Sequence, residues 1–402
     1  MSSRVMNLLA SVLAELEQGD FQSRWEIAKQ IPDFGEAAIA ALVDLLHKTP
    51  EDPELQWFIA RILGQFNHAE VVIALVNLLE VTADDEVVHM AAQMLAQMGP
   101  TAIAALVSLL DQPQSRAVVV PALAQIQTVA MIPCWLRVVA DTDANLRAIA
   151  VAALGRFQDP RIIPALLQGL KDVSAKVRQE AIAGISYRSD LFLEHDHDPV
   201  ALIQPLLADV NLRVCQTTAL ALGRLATDTA AQALWATAQA PYTPLPLQLT
   251  IVQALGQMGS PQSIQYLQNL WLLSPYPFPP DDAQSQLATA IVKALSLSRQ
   301  ADTQAQSAAI LREGLRHQLH HCPEHTVNKV LASALGQLGD SQALPELIEL
   351  LGTSDLGVRL HAIAALKQIA PDHAYSQLQA LAQDTSLERR LKEGVAMALQ
   401  EW

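Results

Sequence analysis

The sequence predicts an all-α protein, a right-handed α-solenoid of about twelve helix pairs. Two observations carry this. Of the 402 residues, 51% are hydrophobic but only 4% aromatic. Ala, Leu, Gln and Val dominate, the vocabulary of helices packed closely through small side chains. A pattern of helix, turn and helix also recurs along the chain. "NLRAIAVAALGRFQDPRIIPALLQGL" (145–170) registers with "TVNKVLASALGQLGDSQALPELIELL" (326–351) almost position by position. Self-similarity of this period marks stacked repeats, for which length is a poor guide to domain number.

The repeat has a small-residue slot near the end of each first helix: Gly64, Ala96, Ala124, Gly155, Ser186, Gly223, Gly256, Ser296, Gly336 and Lys367. Units around 24–46 and 387–402 extend the series at both ends, the last truncated. Lys367 stands in a slot that is otherwise small, so a looser turn is expected there. Within one unit, Leu146, Ala150, Ala153 and Leu154 form an apolar stripe at helical spacing, and Ile162, Ile163, Leu166, Leu167 and Leu170 form another. One pair cannot bury both stripes, so neighbouring pairs must stack. Gly155 ends the first helix, Asp159 is placed to cap the second, and Pro160 suits its first turn. The chain reads as one repeat domain, 1–402, with a capping helix in 1–20 and another in 384–402.

"DANLRAIAVAALGRFQDPRIIPALLQGL" resembles the HEAT repeat, in the short form found in the phycobilisome lyase family. The resemblance covers essentially the whole chain and implies a solenoid of HEAT-like helix pairs. It specifies a fold more than a function, since such units serve lyases, hydroxylases and passive scaffolds. "RWEIAKQIPDFGEAAIAALVDLL", "ELQWFIARILGQF", "VRLHAIAALKQI" and the terminal "ALQEW" are similar to cyanobacterial HEAT-repeat proteins that interact with an A-type iron-sulfur carrier. That resemblance implies a scaffold that stabilises a cluster on its partner. The lyase resemblance implies an alternative, the handling of bilin on phycobiliproteins. HEAT-repeat hydroxylases hold iron with His-Glu pairs. This chain has only the reverse order, at Glu194-His195 and Glu324-His325, so that activity is not carried over.

A net charge of -15 disfavours nucleic acid, whose binding depends on cations that release phosphate counterions. Cys134, Cys215 and Cys322 are too widely spaced for a zinc finger or disulfide framework, which fits a reducing, cytoplasmic setting. "MSSRVMNLLASVLAELEQ" has no basic leader, and no stretch reaches the roughly 18 apolar residues of a membrane span. The expectation is a protein neither secreted nor membrane-spanning.

Departures from the repeat are where specific function is expected. "AQAPYTPLPLQ" (238–248) and "LSPYPFPPDDAQ" (273–284) lengthen connections between repeats and set Tyr242, Tyr276 and Phe278 among stiffening prolines, as a docking edge or as covers for helix ends. Trp25 and Trp57 occupy equivalent positions in successive repeats. They suit a partner platform, or a seat for the amphipathic helix of residues 5–16.

Chemistry is scarce in the motifs. There is no phosphate-binding G-x-x-x-x-G-K-[ST], no G-x-S-x-G elbow and no H-E-x-x-H zinc helix, so no catalytic residue is assigned. "EHDHD" (194–198) offers His195, Asp196, His197 and Asp198, which read as solvated loop before metal ligands. In "GLRHQLHHCPEH" (314–325), Leu311, Leu315, Leu319 and Cys322 share the buried stripe, whereas His317 and His321 lie on another face. A metal there would need His317, His321 and His325 without the cysteine. Histidines at the negative end of a helix halted by Pro323 explain the cluster without a metal. No resident cofactor is expected; the resemblances admit an iron-sulfur cluster shared with a partner, or a bilin.

Overall fold

A computed structural model describes residues 3–113, 115–124, 126–273, 283–321 and 325–402. Among these residues all regular structure is helical. Twelve first helices follow one another: 21–28, 53–63, 85–97, 116–123, 144–154, 175–187, 212–225, 245–258, 283–296, 325–338, 356–369 and 389–401. Eleven are followed by a second helical element and the twelfth is not, which is the truncated repeat series the sequence predicts. Contacts cluster into two units, Met1–Gly184 and Ile185–Trp402.

The local signals act as the residues dictate. Leu146, Ala150, Ala153 and Leu154 are all buried, as are Ile162, Ile163, Leu166 and Leu170. Gly155 caps the helix 144–154. The carboxylate of Asp159 accepts the Arg161 amide at 3.0 Å, and the second element enters through a 3-10 turn over Pro160–Ile162. In the first unit, the helix Ser3–Gln18 buries Leu9 and Leu16. One expectation is corrected. The turn after Lys367 is not looser: Ala370 alone separates Leu356–Ile369 from Pro371–Ala382. Lys367 escapes the slot by reaching outward, donating to the Glu401 carbonyl and lying 5.6 Å from the Trp402 ring. The acidic loop at 194–198 is largely exposed, and the segment before it folds a short helix, Ser189–Glu194, with Leu191 and Phe192 buried.

The small slot has a geometric cause. A Cβ placed on Gly256 would lie 2.7 Å from the Cβ of Ala294, and one on Gly223 would lie 2.8 Å from that of Ala254. On Gly155 it would meet the Gly184 Cα at 2.8 Å, and on Gly336 the Ala365 Cα at 3.1 Å. In each case the partner stands two positions before the next slot, on the next first helix. Consecutive first helices therefore meet nearly backbone to backbone, closer than any larger side chain permits.

A second periodic device lies eight positions before the slot. There, Arg116, Arg147, Arg178, Cys215 and Arg359 each donate to the carbonyl six residues earlier, at 2.6 to 3.1 Å. Gln56 reaches the Pro50 carbonyl in the same way at 3.2 Å. These bonds hold the loop that joins one repeat to the next and satisfy carbonyls of that loop, which lie just beyond the end of the preceding helical element. The arginines also reach forward. Arg116 pairs with Asp141 at 3.1 Å, and Arg147 grips Asp172 through two 2.8 Å bonds. Asp172 is thus held from both sides, its carboxylate by Arg147 and its carbonyl by Arg178.

Cys215 takes an arginine's place in this series, with its Sγ 3.1 Å from the Asp209 carbonyl. Burial raises its pKa, and burial pushes the Cys134 thiol up to about 11. Both thiols are packing groups, not nucleophiles. Alkylation at pH 8, followed by mass spectrometry, should modify Cys134 and Cys215 on the order of 100-fold more slowly in the folded protein than in denaturant. Rapid labelling of either would contradict this placement.

The Arg147 hydrogen bonds hold the Asp172 carboxyl below its ordinary value. A depressed folded pKa contributes stability that is complete above the unfolded value near 3.9 and is lost as pH falls through the folded one. Urea unfolding between pH 7 and pH 3 should show this loss below about pH 4. Arg147→Met should cost on the order of 3 kcal/mol at pH 7 and flatten the acid limb. An unchanged pH profile in the variant would remove the pair from the account.

Candidate functional site: an aromatic and basic groove on the first helices

Trp25 and Trp57 stand on consecutive first helices of the first unit, both half-buried, joined by two residues that the sequence reading passed over. Phe58, fully buried, lies edge-on to Trp25 at 6.3 Å and to Trp57 at 5.1 Å. Phe21 stacks on Trp25 at 6.1 Å. Arg61 places its guanidinium carbon 4.1 Å from the centroid of Trp25 and 5.5 Å from that of Trp57. Helical spacing explains the convergence: Trp57 and Arg61 are i and i+4 on one helix, and Trp25 occupies the equivalent of Trp57 one repeat earlier. A cation over an indole face contributes about 0.5 to 2 kcal/mol, more as water is excluded.

Beside this stack runs a groove of about 620 Å³ across three first helices, 21–28, 53–63 and 85–97. Trp25, Lys29 and Arg61 form one side; Met90, Met94 and the amides of Gln93 and Gln97 form the other. Met94 lines the groove where the repeat is irregular. It stands two positions before a slot, where Gly184, Ala254, Ala294 and Ala365 stand elsewhere. Its thioether fills the space over Gly64, where an added Cβ would come within 2.3 Å of Sδ. A flexible, polarisable side chain thus replaces a backbone contact and lines the surface as well. The signal was present in the sequence as a methionine in a run of Ala and Gly.

Tyr242 is 95% exposed in the second unit. It sits on the rim of a larger groove of about 880 Å³, with Val210, Pro244 and Leu247 among its walls and the buried Cys215 beneath. Asp209 is the one ionisable carboxylate or base among its lining residues. Trp235 and Tyr266, on the successive second helices 228–238 and 261–273, stack at 5.3 Å with planes 7° apart. Tyr276 and Phe278 lie outside the described residues, so their place relative to Tyr242 is not described.

The histidine-rich stretches resolve differently. Leu311 and Leu315 are buried on the helix Ala301–His321, and His317, His320 and His325 are exposed. Cys322 and Pro323 lie outside the described residues. In the "EHDHD" loop, Asp198 accepts the Val200 amide at 2.9 Å as a helix cap, and His195 Nδ1 lies 2.9 Å from the Leu191 carbonyl. Both side chains are thereby engaged in local structure. Among the described residues, no three His, Cys, Asp or Glu side chains come together to hold a metal ion, and no helix is long and apolar enough to cross a membrane.

Comparison with known proteins gives the fold and the repeat family. The chain is 36% identical over 115 residues to the phycocyanobilin lyase subunit alpha of Thermosynechococcus vestitus, a match covering 28% of this chain and 36% of that protein. Among solved structures it is similar to Kap121p bound to Pho4p, with a TM-score of 0.63 and 15% identity over 98% of this chain. It is likewise similar to Kap95p in its structure with RanGDP, with a TM-score of 0.65 and 13% identity over 99% of this chain. It spans 49% of the first structure and 60% of the second, and at such identities the likeness is one of fold. Residues 247–270 match the PBS lyase HEAT-like repeat. The model for HEAT repeats matches residues 9–96, 39–124, 103–186 and 312–400, and the chain belongs to that family.

Proposed function

We propose that this HEAT-repeat protein is a non-catalytic adaptor of the cytoplasm that docks a protein partner on the first-helix face of its N-terminal unit. The observation that carries the reading is the Trp25, Arg61 and Trp57 stack beside an open groove. Large amphipathic rings and an arginine are the side chains that dominate binding energy when a partner covers them, and here they are held half-exposed on rigid helices. Tyr242 supplies a second docking point in the other unit, and we assign Tyr276 and Phe278 to partner binding as well. The HEAT-repeat fold suits such a role, since stacked helices present extended surface without needing a reactive group. The partner we favour is an iron-sulfur carrier, with the cluster held by the carrier. The buried thiols of Cys134 and Cys215 support that division of labour, because neither offers an accessible thiolate.

A second reading, bilin handling on a phycobiliprotein, is favoured by the 36% identity to the lyase subunit and by the repeat match at 247–270. The two readings separate in one experiment. Tagged protein is used to capture partners from a cyanobacterial lysate, beside a Trp25→Ala/Trp57→Ala variant of equal helicity. The adaptor reading expects an iron-sulfur carrier in the wild-type eluate, reduced at least tenfold by the variant. Recovery of phycobiliproteins with bilin transfer in vitro would establish the second reading instead.

A further inference from the structure

We infer that the groove beside Arg61 recognises a carboxylate on an extended segment of the partner, with an apolar side chain two residues away. The inference rests on the docking role proposed for this face and adds the chemistry of what docks. Arg61 is set apart by its surroundings. Arg24, Arg116, Arg137, Arg147 and Arg161 of the same unit each pair with a carboxylate, and Arg156 and Arg178 donate to backbone carbonyls. Among the described residues Arg61 is in no such pair; its neighbours are the faces of two indoles. Stacking engages the face of a guanidinium and leaves its N–H edge to donate, in the fork geometry that matches a carboxylate. A half-buried guanidinium without a counter-charge is electrostatically incomplete in a way its five counterparts are not.

Charge complementarity names the occupant. The chain carries a net charge of -15, yet the residues lining this groove include Lys29 and Arg61 and no carboxylate. Lys29 lies 2.8 Å from Glu26, but both side chains are more than half exposed, and a pair of that kind contributes little. The groove is therefore a basic site on an acidic molecule, and it attracts anionic segments more than the surface around it does.

The far wall sets the form of the segment. Gln93 and Gln97 are four residues apart on one helix, as are Met90 and Met94, so each pair is separated by about 6 Å along the axis. Alternate residues of an extended chain are separated by about 6.6 Å. A segment lying along the helix can therefore pair its main-chain N–H and C=O groups with the two amides, which both donate and accept. Its inward side chains then fall at the same interval, one meeting Arg61 and the next meeting Met90, the methionine of the pair that is left partly exposed.

The test is selection from a random linear peptide library on the intact protein, on Arg61→Gln and on Arg61→Lys, with melting curves confirming that the variants fold. The wild type should enrich peptides with Asp or Glu two positions from Leu, Met or Phe. Resynthesised peptides should lose at least tenfold in affinity when the acid becomes its amide, and should weaken as salt rises. Arg61→Gln should abolish the acidic preference and Arg61→Lys should keep part of it. Absence of an acidic preference, or one that survives in Arg61→Gln, would overturn the inference. So would a groove that binds biliverdin, a dicarboxylic linear tetrapyrrole, while selecting no peptide. If partner capture depends on Trp25 and Trp57 but no acidic preference appears, only the peptide chemistry fails; if capture is also independent of both tryptophans, the docking face itself is wrong.

Discussion

The close approach of consecutive first helices is the constraint on which the rest depends. Where Gly223 meets Ala254 and Gly256 meets Ala294, no room remains for another methyl group. This requirement explains the low aromatic content, the dominance of alanine and the recurrence of a small residue once per repeat. Each interface is local, joining one repeat to the next, so stability accumulates as a series of neighbour contacts within each unit. It also defines what an irregularity means. Met94 breaks the small-residue rule, and the groove it lines is where the distinctive surface chemistry lies.

The loops obey a second rule that the helices do not supply. A donor eight positions before the slot ties down the carbonyl six residues behind it, and at Arg116 and Arg147 it also crosses to the aspartate of the following loop. Cys215 doing an arginine's work is the clearest sign that the position is selected for donating a hydrogen bond as much as for charge. It also removes this cysteine from consideration as a reactive group, since its thiol is spent on the backbone and burial opposes ionisation.

The helices and their pairing were legible in the sequence because periodicity and small-residue spacing are local signals. The stripe at Leu146–Leu154, the cap at Asp159 and the series of slots all translate directly into packing. The donor series was equally periodic, with arginines at 116, 147 and 178, but recognising it requires knowing that the chain folds back six residues. Arg61 was harder. Nothing in "WFIARIL" says that its guanidinium will settle on an indole from the preceding repeat. Lys367 misled for a related reason, since a long side chain can leave a crowded slot and make its contacts elsewhere. Surface chemistry assembled across repeats is the part that local sequence conveys least.

First-helix contact is set by particular small residues, and a double-mutant cycle on Gly256→Ala and Ala294→Gly measures this directly by urea unfolding. Helix propensity favours the first change and opposes the second by about 1 kcal/mol each, and the cycle cancels both. Because a Cβ at 256 would lie 2.7 Å from the one it meets at 294, the pair should show a coupling of at least about 1 kcal/mol, with Ala294→Gly relieving the strain of Gly256→Ala. Additivity to within about 0.3 kcal/mol would contradict the claim that backbone proximity at this slot organises the fold.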